Sequence, residues 1–288
     1  MDGFIVVDKP SGITSRKVVD VVASALKHKK VGHAGTLDPL AAGVMVVCVG
    51  CTTKLVDFIH DLPKAYSATF LFGRSSPSDD LETDVSIEEH PICPSIEQLS
   101  RAMAGFHGEI LQKPCAYSAV HINGQRAYRM ARKGRSITMK SKRVRIDELN
   151  IIHYVWPRLL CDVICSSGTF IRAIGRDLAA SVGTSAVMES LTRTAIGPFS
   201  QKSAVQLEDV NEETVRGLLR PAGEALPHMD TIILQGEILD QAVRGGHMTL
   251  PSKTKSIAAI DENGVLVGVL SRLKSGRFRL KPNFRGVG

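Results

Sequence analysis

The 288-residue sequence predicts an α+β fold with a mixed, largely antiparallel sheet, followed by a small β-rich C-terminal domain. Three observations carry that expectation. Apolar runs with strand spacing interleave with amphipathic helical patterns, but without the strict strand–helix–strand rhythm of a parallel sheet. The chain changes character near Leu226-Pro227. Beyond it, short apolar runs over 256–280 are separated by turns at Glu262-Asn263-Gly264 and Lys274-Ser275-Gly276. The length allows one large domain, or one of roughly 200 residues with a small companion. The boundaries are accordingly placed at 1–225 and 226–288.

The elements follow in order. Residues 3–8 read as a buried strand closed by Lys9-Pro10-Ser11-Gly12. Over 15–27, Val18, Val19, Val22, Ala25 and Leu26 recur at helical spacing, with Thr14 or Ser15 as N-cap. A glycine-rich loop over 31–43 precedes a strand at 44–49, after which Thr52 or Thr53 caps a helix through His60. Residues 66–73 alternate like a strand, and 74–94 are polar and loop-like. Ser95-Ile96-Glu97-Gln98 is a capping-box pattern that opens a helix to about Ala104. A short helix over 125–133 lies between Gly124 and Gly134. Strands are expected over 143–154 and 159–166. The helix over 169–182 sets Ile171, Ile174 and Leu178 on one face and Arg172 and Arg176 on another.

Composition excludes several classes. With 43% hydrophobic residues the chain can build a core, which excludes disorder, and it lacks a collagen period. The longest apolar run, 41–51, is too short to span a bilayer. The N-terminus has no basic region before its short apolar stretch, so no signal peptide and a soluble, cytoplasmic protein are expected. Charge is unevenly distributed. Residues 110–146 hold ten Lys and Arg and no Asp or Glu, residues 245–288 are net +6, and the remainder is −9 within a total of +7. Two basic territories on an acidic body point to a polyanion touching both, nucleic acid foremost, although solvated surface charge produces the same count.

The residues offer little cofactor chemistry. Cys48-Val49-Gly50-Cys51 and the pair Cys161 and Cys165 would have to converge to hold structural zinc. Cys48 and Cys161 sit in apolar strand patterns, where cysteine behaves as a small buried hydrophobe. Walker A, Rossmann, H-E-x-x-H and G-x-S-x-G patterns are lacking, so no cofactor and no metal are expected. Asp38 stands out in a loop with Gly32, Gly35 and Gly43, and Pro39 biases it toward an extended conformation. Such an aspartate serves either as a turn residue or as a reactive carboxylate.

At this loop the sequence resembles a family. Residues 32–43, from Gly32-His33 through Leu37-Asp38-Pro39 to Gly43, resemble the G-H-x-G-x-L-D-P-x-A-x-G signature of the bacterial TruB family of tRNA pseudouridine synthases. Asp8-Lys9-Pro10-Ser11-Gly12 resembles the family's opening motif, and Lys64-Ala65-Tyr66 its K-x-Y motif. Pro114-Cys115-Ala116-Tyr117-Ser118-Ala119 resembles its RNA-gripping insertion, here about 110–146. Gly168-Thr169-Phe170-Ile171-Arg172 is similar to G-T-Y-I-R, and residues 191–199, from Leu191-Thr192-Arg193, to the motif after it. Ordered matches cover about residues 3–200, while the C-terminal region is only loosely similar to the family's PUA-like RNA-binding domain.

The resemblance implies a pseudouridine-synthase fold and isomerisation of a T-loop uridine of tRNA (position 55 in the family) to pseudouridine. No cofactor, no membrane and no obligatory protein partner are implied. By the family's pattern Asp38 is the nucleophile, attacking sugar or base. Tyr66 stacks on the target base and assists proton transfer, and Arg172 keeps Asp38 ionised and oriented. His33 contacts RNA near the flipped base, Phe170 stacks, and Leu191 walls the pocket. Arg126, Arg129, Arg132 and Lys133 grip the tRNA T-arm. The sequence departs from the family at Phe170, where a tyrosine is usual, and at Pro77, which interrupts an acidic run and leaves Asp79 and Asp80 without an assigned role. Two other readings share these motifs: a non-catalytic RNA-binding or tRNA-folding protein, and a guide-RNA-dependent relative acting on ribosomal RNA.

Overall fold

The computed structural model describes residues 2–118, 120–122, 124–133 and 138–285, and in the basic segment the side chain of Arg126 lies outside what is described. The chain opens with β1 (Gly3–Lys9), α1 (Ser15–Leu26), β2 (Val31–His33) and β3 (Ala42–Val49). Then come α2 (Val56–His60), β4 (Lys64–Phe72), α3 (Ile96–Ala104), β5 (Gly108–Gln112) and α4 (Ala127–Ala131). The sequence continues through β6 (Lys142–Val155), β7 (Arg158–Cys165), α5 (Ile171–Ser181) and β8 (Ala186–Ile196).

One sheet of ten strands among the described residues organises this body. Its order is Val205–Gln206, β1, β3, β8, β4, β7, β6, β5, with β2 also bonded to β3 and Phe199–Ser200 to β8. The pairs β1 with Val205–Gln206 and β8 with β3 are parallel and the rest antiparallel, the mixed sheet the sequence predicts. Strand alternation divides two apolar layers. Ile5, Val7, Met45, Val47 and Val49 face the layer that α1 and α5 cover, where Val18, Val22, Ile174 and Leu178 pack. Phe4, Val6, Val44, Val46 and Cys48 face the other side.

Local signals hold where they are strongest. Thr14 caps α1 by accepting from Lys17 N, and Ser95 with Gln98 forms the reciprocal capping box of α3. Elsewhere the structure corrects the expectation. The glycine-rich segment is strand at both ends, because β2 bonds β3 and the start of β3 bonds β8. Neither Thr52 nor Thr53 caps a helix; residues Gly50–Leu55 form a 3₁₀ turn, with Thr53 Oγ1 donating to Gly50 O at 2.7 Å. The short basic helix begins only at Ala127, after the two-residue strand Gln125–Arg126. β5 and β8 are strands that the sequence pattern does not announce. Glu189, Ser190, Thr192 and Arg193 hide the strand pattern of β8, yet β3 and β4 bond it from both sides. Tertiary partners override weak local preference there.

Beyond Leu226, five strands curl into a separate sheet ordered Thr231–Ile233, Ser256–Ile260, Leu266–Arg272, Phe278–Asn283, His247–Met248. One face meets α6 (Gly236–Val243), a helix added to the expected β-rich unit, over a core of Leu234, Ala242, Ile257, Val267 and Phe278. Ala258, Leu266 and Val269 on the other face join the Phe4 layer. Among the described residues no helix is long and apolar enough to cross a membrane.

Cys48, Cys161 and Cys165 lie within these strands as buried core, and burial pushes the first two thiols up to about 12 and Cys165 to about 11.

Candidate active site

The Asp38 loop is fastened at several points. Ser15 Oγ both accepts from Leu37 N and donates to Leu37 O, each at 2.8 Å. Lys9, fully buried, donates to the carbonyls of Pro10, Ile13 and Pro39, and Gly12 N donates to Pro39 O at 2.8 Å. At the loop's end Gly43 has φ +106°, and a Cβ there would stand 2.2 Å from Arg193 O. Only glycine lets β3 and β8 approach so closely.

Arg172 enters from the first turn of α5. Its side chain is 5% exposed and spans two carboxylates: Nη2 lies 2.8 Å from Asp38 Oδ2 and Nη1 3.1 Å from Asp80 Oδ2. The same nitrogens donate to Ser78 O at 2.8 Å and Tyr117 O at 2.9 Å. Arg176, one turn on, pairs with Asp79 Oδ2 at 2.9 Å and donates to Lys113 O. Asp79 sits at φ +60°, so the loop after Pro77 folds back and presents both acids to one face of α5. The helix is pressed onto β4, where Gly175 leaves room for the Phe70 ring.

Asp38, Tyr66, Phe170, Arg172 and Leu191 line one cavity of about 350 Å³, with Lys64, His60, Ser167 and Arg193. That volume falls in the range of about 300–1,000 Å³ typical of ligand pockets. Tyr66 and Leu191 project from β4 and β8, in register with Arg193 and Ala68 respectively. Phe170 is fixed through its backbone, which exchanges two hydrogen bonds with the buried Gln112 amide (2.8 and 3.0 Å), and Lys142 Nζ stands 4.4 Å over its ring.

His33 does not line this cavity. It borders an adjoining one of about 580 Å³, which also reaches Asp38, Tyr117, Tyr128 and Arg132. Its Nδ1 is buried without a hydrogen-bond partner among the described residues. Burial, with Arg193 adding, lowers its pKa and keeps the imidazole neutral. Arg129, Arg132 and Lys133 lie on and just after α4. Arg132 pairs with Glu82, and Arg129 Nε lies 3.3 Å from Tyr128 Oη.

Electrostatics at Asp38 are a contest. Burial raises its pKa and the charges of Asp80 and Glu82 add to the rise, while Arg172 pulls it down. The net direction is upward, so Arg172 orients the carboxyl and limits the rise without reversing it. Asp38 is 39% exposed and borders both cavities. Burial likewise raises Tyr66 and pulls Lys9 and Lys64 down to about 8.

Comparison with known proteins gives this arrangement its context. The family model for the N-terminal domain of TruB family pseudouridylate synthases matches residues 23–171. The chain is 35% identical over 281 residues to tRNA pseudouridine synthase B of Clostridium tetani, covering 96% of this chain and 97% of that protein. The chain belongs to the TruB family. A second relative of the same name, from Moorella thermoacetica, is 38% identical over 252 residues, 84% of this chain and 82% of its own. As a TruB-family member the protein is a pseudouridine synthase, an isomerase. The fold agrees with that of a solved Cbf5-Nop10-Gar1 complex, with a TM-score of 0.76 at 20% identity over 99% of this chain and 85% of that one.

Three residues of this candidate site are not marked as site residues by the sequence. Asp80 has no role assigned there because Pro77 breaks the acidic run, yet it is 1% exposed against Arg172. Lys9 lies in the opening motif and Arg193 in the last one. Their presence in motifs is the available signal; nothing local marks them as buried cations.

Proposed function

We propose that this enzyme acts on tRNA, flipping a T-loop uridine (position 55 in the family) into the 350 Å³ cavity and isomerising it to pseudouridine with Asp38 as nucleophile. The observation that carries the reading is the 2.8 Å contact between Arg172 Nη2 and Asp38 Oδ2 at the wall of a cavity that also holds Tyr66. A carboxylate aimed by a buried guanidinium beside an aromatic ring suits attack on a flipped nucleotide. Extrusion of the base costs a few kcal/mol, which stacking on Tyr66 and Phe170 and packing on Leu191 offset.

The chemistry then needs only residues of this chain. The N1–C1′ bond breaks with its pair on the base, the base turns, and C5 bonds to C1′. One proton moves from C5 to N1, so atoms balance without oxidant, reductant or metal. Tyr66 assists that proton transfer. His33, neutral, lines the approach, and Arg126, Arg129, Arg132 and Lys133 hold phosphates of the T-arm. Residues 226–288 form a PUA-like second RNA-holding unit beside the catalytic residues 1–225. The relatives' name, tRNA pseudouridine synthase B, supports tRNA as substrate, and a cytoplasmic location follows from that substrate.

The test is incubation of purified protein with an unmodified tRNA transcript, followed by pseudouridine mapping. Conversion of the T-loop uridine with no added factor is expected. An unchanged uridine overturns the stand-alone reading, and conversion only after addition of guide RNA and partner proteins would favour the guide-dependent one.

A further inference from the structure

Arg193 is the largest side chain in the described protein to be fully buried, at 1% exposure. Its Nε donates to Val44 O at 2.7 Å, Nη2 to Gly35 O at 3.1 Å and Nη1 reaches Thr36 O at 3.5 Å. These contacts tie it to the loop that carries Asp38. Its charge is differently placed from that of Arg172, which two carboxylates neutralise. Tyr66 stands opposite Arg193 across the β4–β8 pair and shares its cavity. Lys9, His33 and Lys64 also feel the Arg193 charge, and of these four groups Tyr66 is the one that ionises to an anion.

A buried cation with no carboxylate is poised to stabilise an anion formed beside it. We propose that Arg193 is the counter-charge that lets Tyr66 lend a proton to the base and take another back, acting as a positioning residue for the isomerisation. This rests on the reading of Tyr66 as the proton-transfer group.

The step balances. After C5 has bonded C1′, C5 still carries its hydrogen and C6 is doubly bonded to N1. Tyr66 gives its hydroxyl proton to N1 and becomes a phenolate against Arg193. The phenolate then takes the proton from C5; the C5–H pair becomes the C5–C6 double bond, and the π pair of N1–C6 settles on N1. Tyr66 ends as it began. Of the groups facing its hydroxyl, Cys165 and Asp38 oppose the phenolate and Arg193 favours it. Burial explains why a counter-charge is required at all.

The test uses Arg193→Met and Arg193→Gln, the latter keeping donors for the loop carbonyls without charge, alongside Arg193→Lys. Single-turnover rates are measured on tRNA carrying uridine or 5-deuterouridine. Both uncharged variants should slow at least about tenfold and show a larger C5 isotope effect than wild type, while Arg193→Lys stays closer to wild type. The protein has four tyrosines, so ¹³C-tyrosine NMR, assigned by Tyr66→Phe, follows the Tyr66 titration directly. It should move up by about one unit or more when the charge is removed. In wild type itself, ionising Tyr66 should shift the Arg193 Nε resonance, a readout that needs no variant at Arg193. A slow variant with an unchanged isotope effect and an unmoved Tyr66 titration would make Arg193 a mere loop fastener and overturn the proposal. Absence of coupling between the two resonances in wild type overturns it equally. If instead Tyr66→Phe itself leaves the rate and the isotope effect unchanged, the reading of Tyr66 fails and the proposal for Arg193 falls with it.

Discussion

Asp80 holds the Nη1 end of Arg172 at 3.1 Å from a position only 1% exposed, behind the contact that Arg172 makes with Asp38. The guanidinium is therefore located from the back by one acid and presents its other nitrogen to Asp38. Ser78 Oγ and Glu82 N bond the Asp80 carboxylate in turn. Asp80→Asn should lower kcat by about a hundredfold through loss of that orientation, with tRNA affinity within a few-fold of wild type. Breaking a buried pair also destabilises, here by about 3 kcal/mol, measurable as a lower urea midpoint. Normal turnover in Asp80→Asn would mean Arg172 needs no support from behind.

Asp38→Asn should abolish pseudouridine formation while largely sparing tRNA binding. Equal loss of binding would make Asp38 structural.

The raised pKa of Asp38 has a signed consequence for stability. The folded protein holds this proton more tightly than the unfolded chain, so the associated stability is present at acid pH and is lost as pH rises through the folded pKa. Asp38→Asn should therefore have a higher Tm than wild type near pH 7, by roughly 2–4 °C for each kcal/mol recovered. The advantage should shrink as pH falls through the folded value. The acid limb of kcat/KM in wild type should correspondingly lie above the ordinary carboxylate range.

Neutralising Arg126, Arg129, Arg132 and Lys133 together should weaken tRNA binding and flatten its dependence on salt. For every phosphate no longer neutralised, the slope of log K against log salt should fall by about 0.7–0.9. An unchanged slope would mean that this surface does not meet phosphate.

Gly175→Ala tests how α5 is seated. The added Cβ would stand 2.2 Å from Phe70 Cδ1 in a closed core. Overpacking of about 1–3 kcal/mol should outweigh the helix-propensity gain of about 1 kcal/mol, lowering the urea midpoint and displacing Arg172. A more stable variant would show that the neighbouring ring relaxes freely.

Local features and the order of the motifs are legible in the chain alone. Thr14 and Ser95 mark helix starts because caps act within three residues, and the β1 and β3 runs announce themselves through their apolar character. The glycine-flanked loop that singles out Asp38 and the acid-free basic segment are equally plain there. What surrounds Asp38 is set by long-range packing. Strand β8 exists because β3 and β4 bond it on both sides, and it is β8 that carries Arg193 under the loop and Leu191 into the cavity. Asp80, obscured by Pro77, acquires its role through the turn at Asp79 that folds it onto α5. Caps and periodicity are written within a few residues, whereas burial and charge pairing depend on which distant segments the sheet brings together. That is why Asp38 can be picked out from the chain alone, and why the cations that support it cannot.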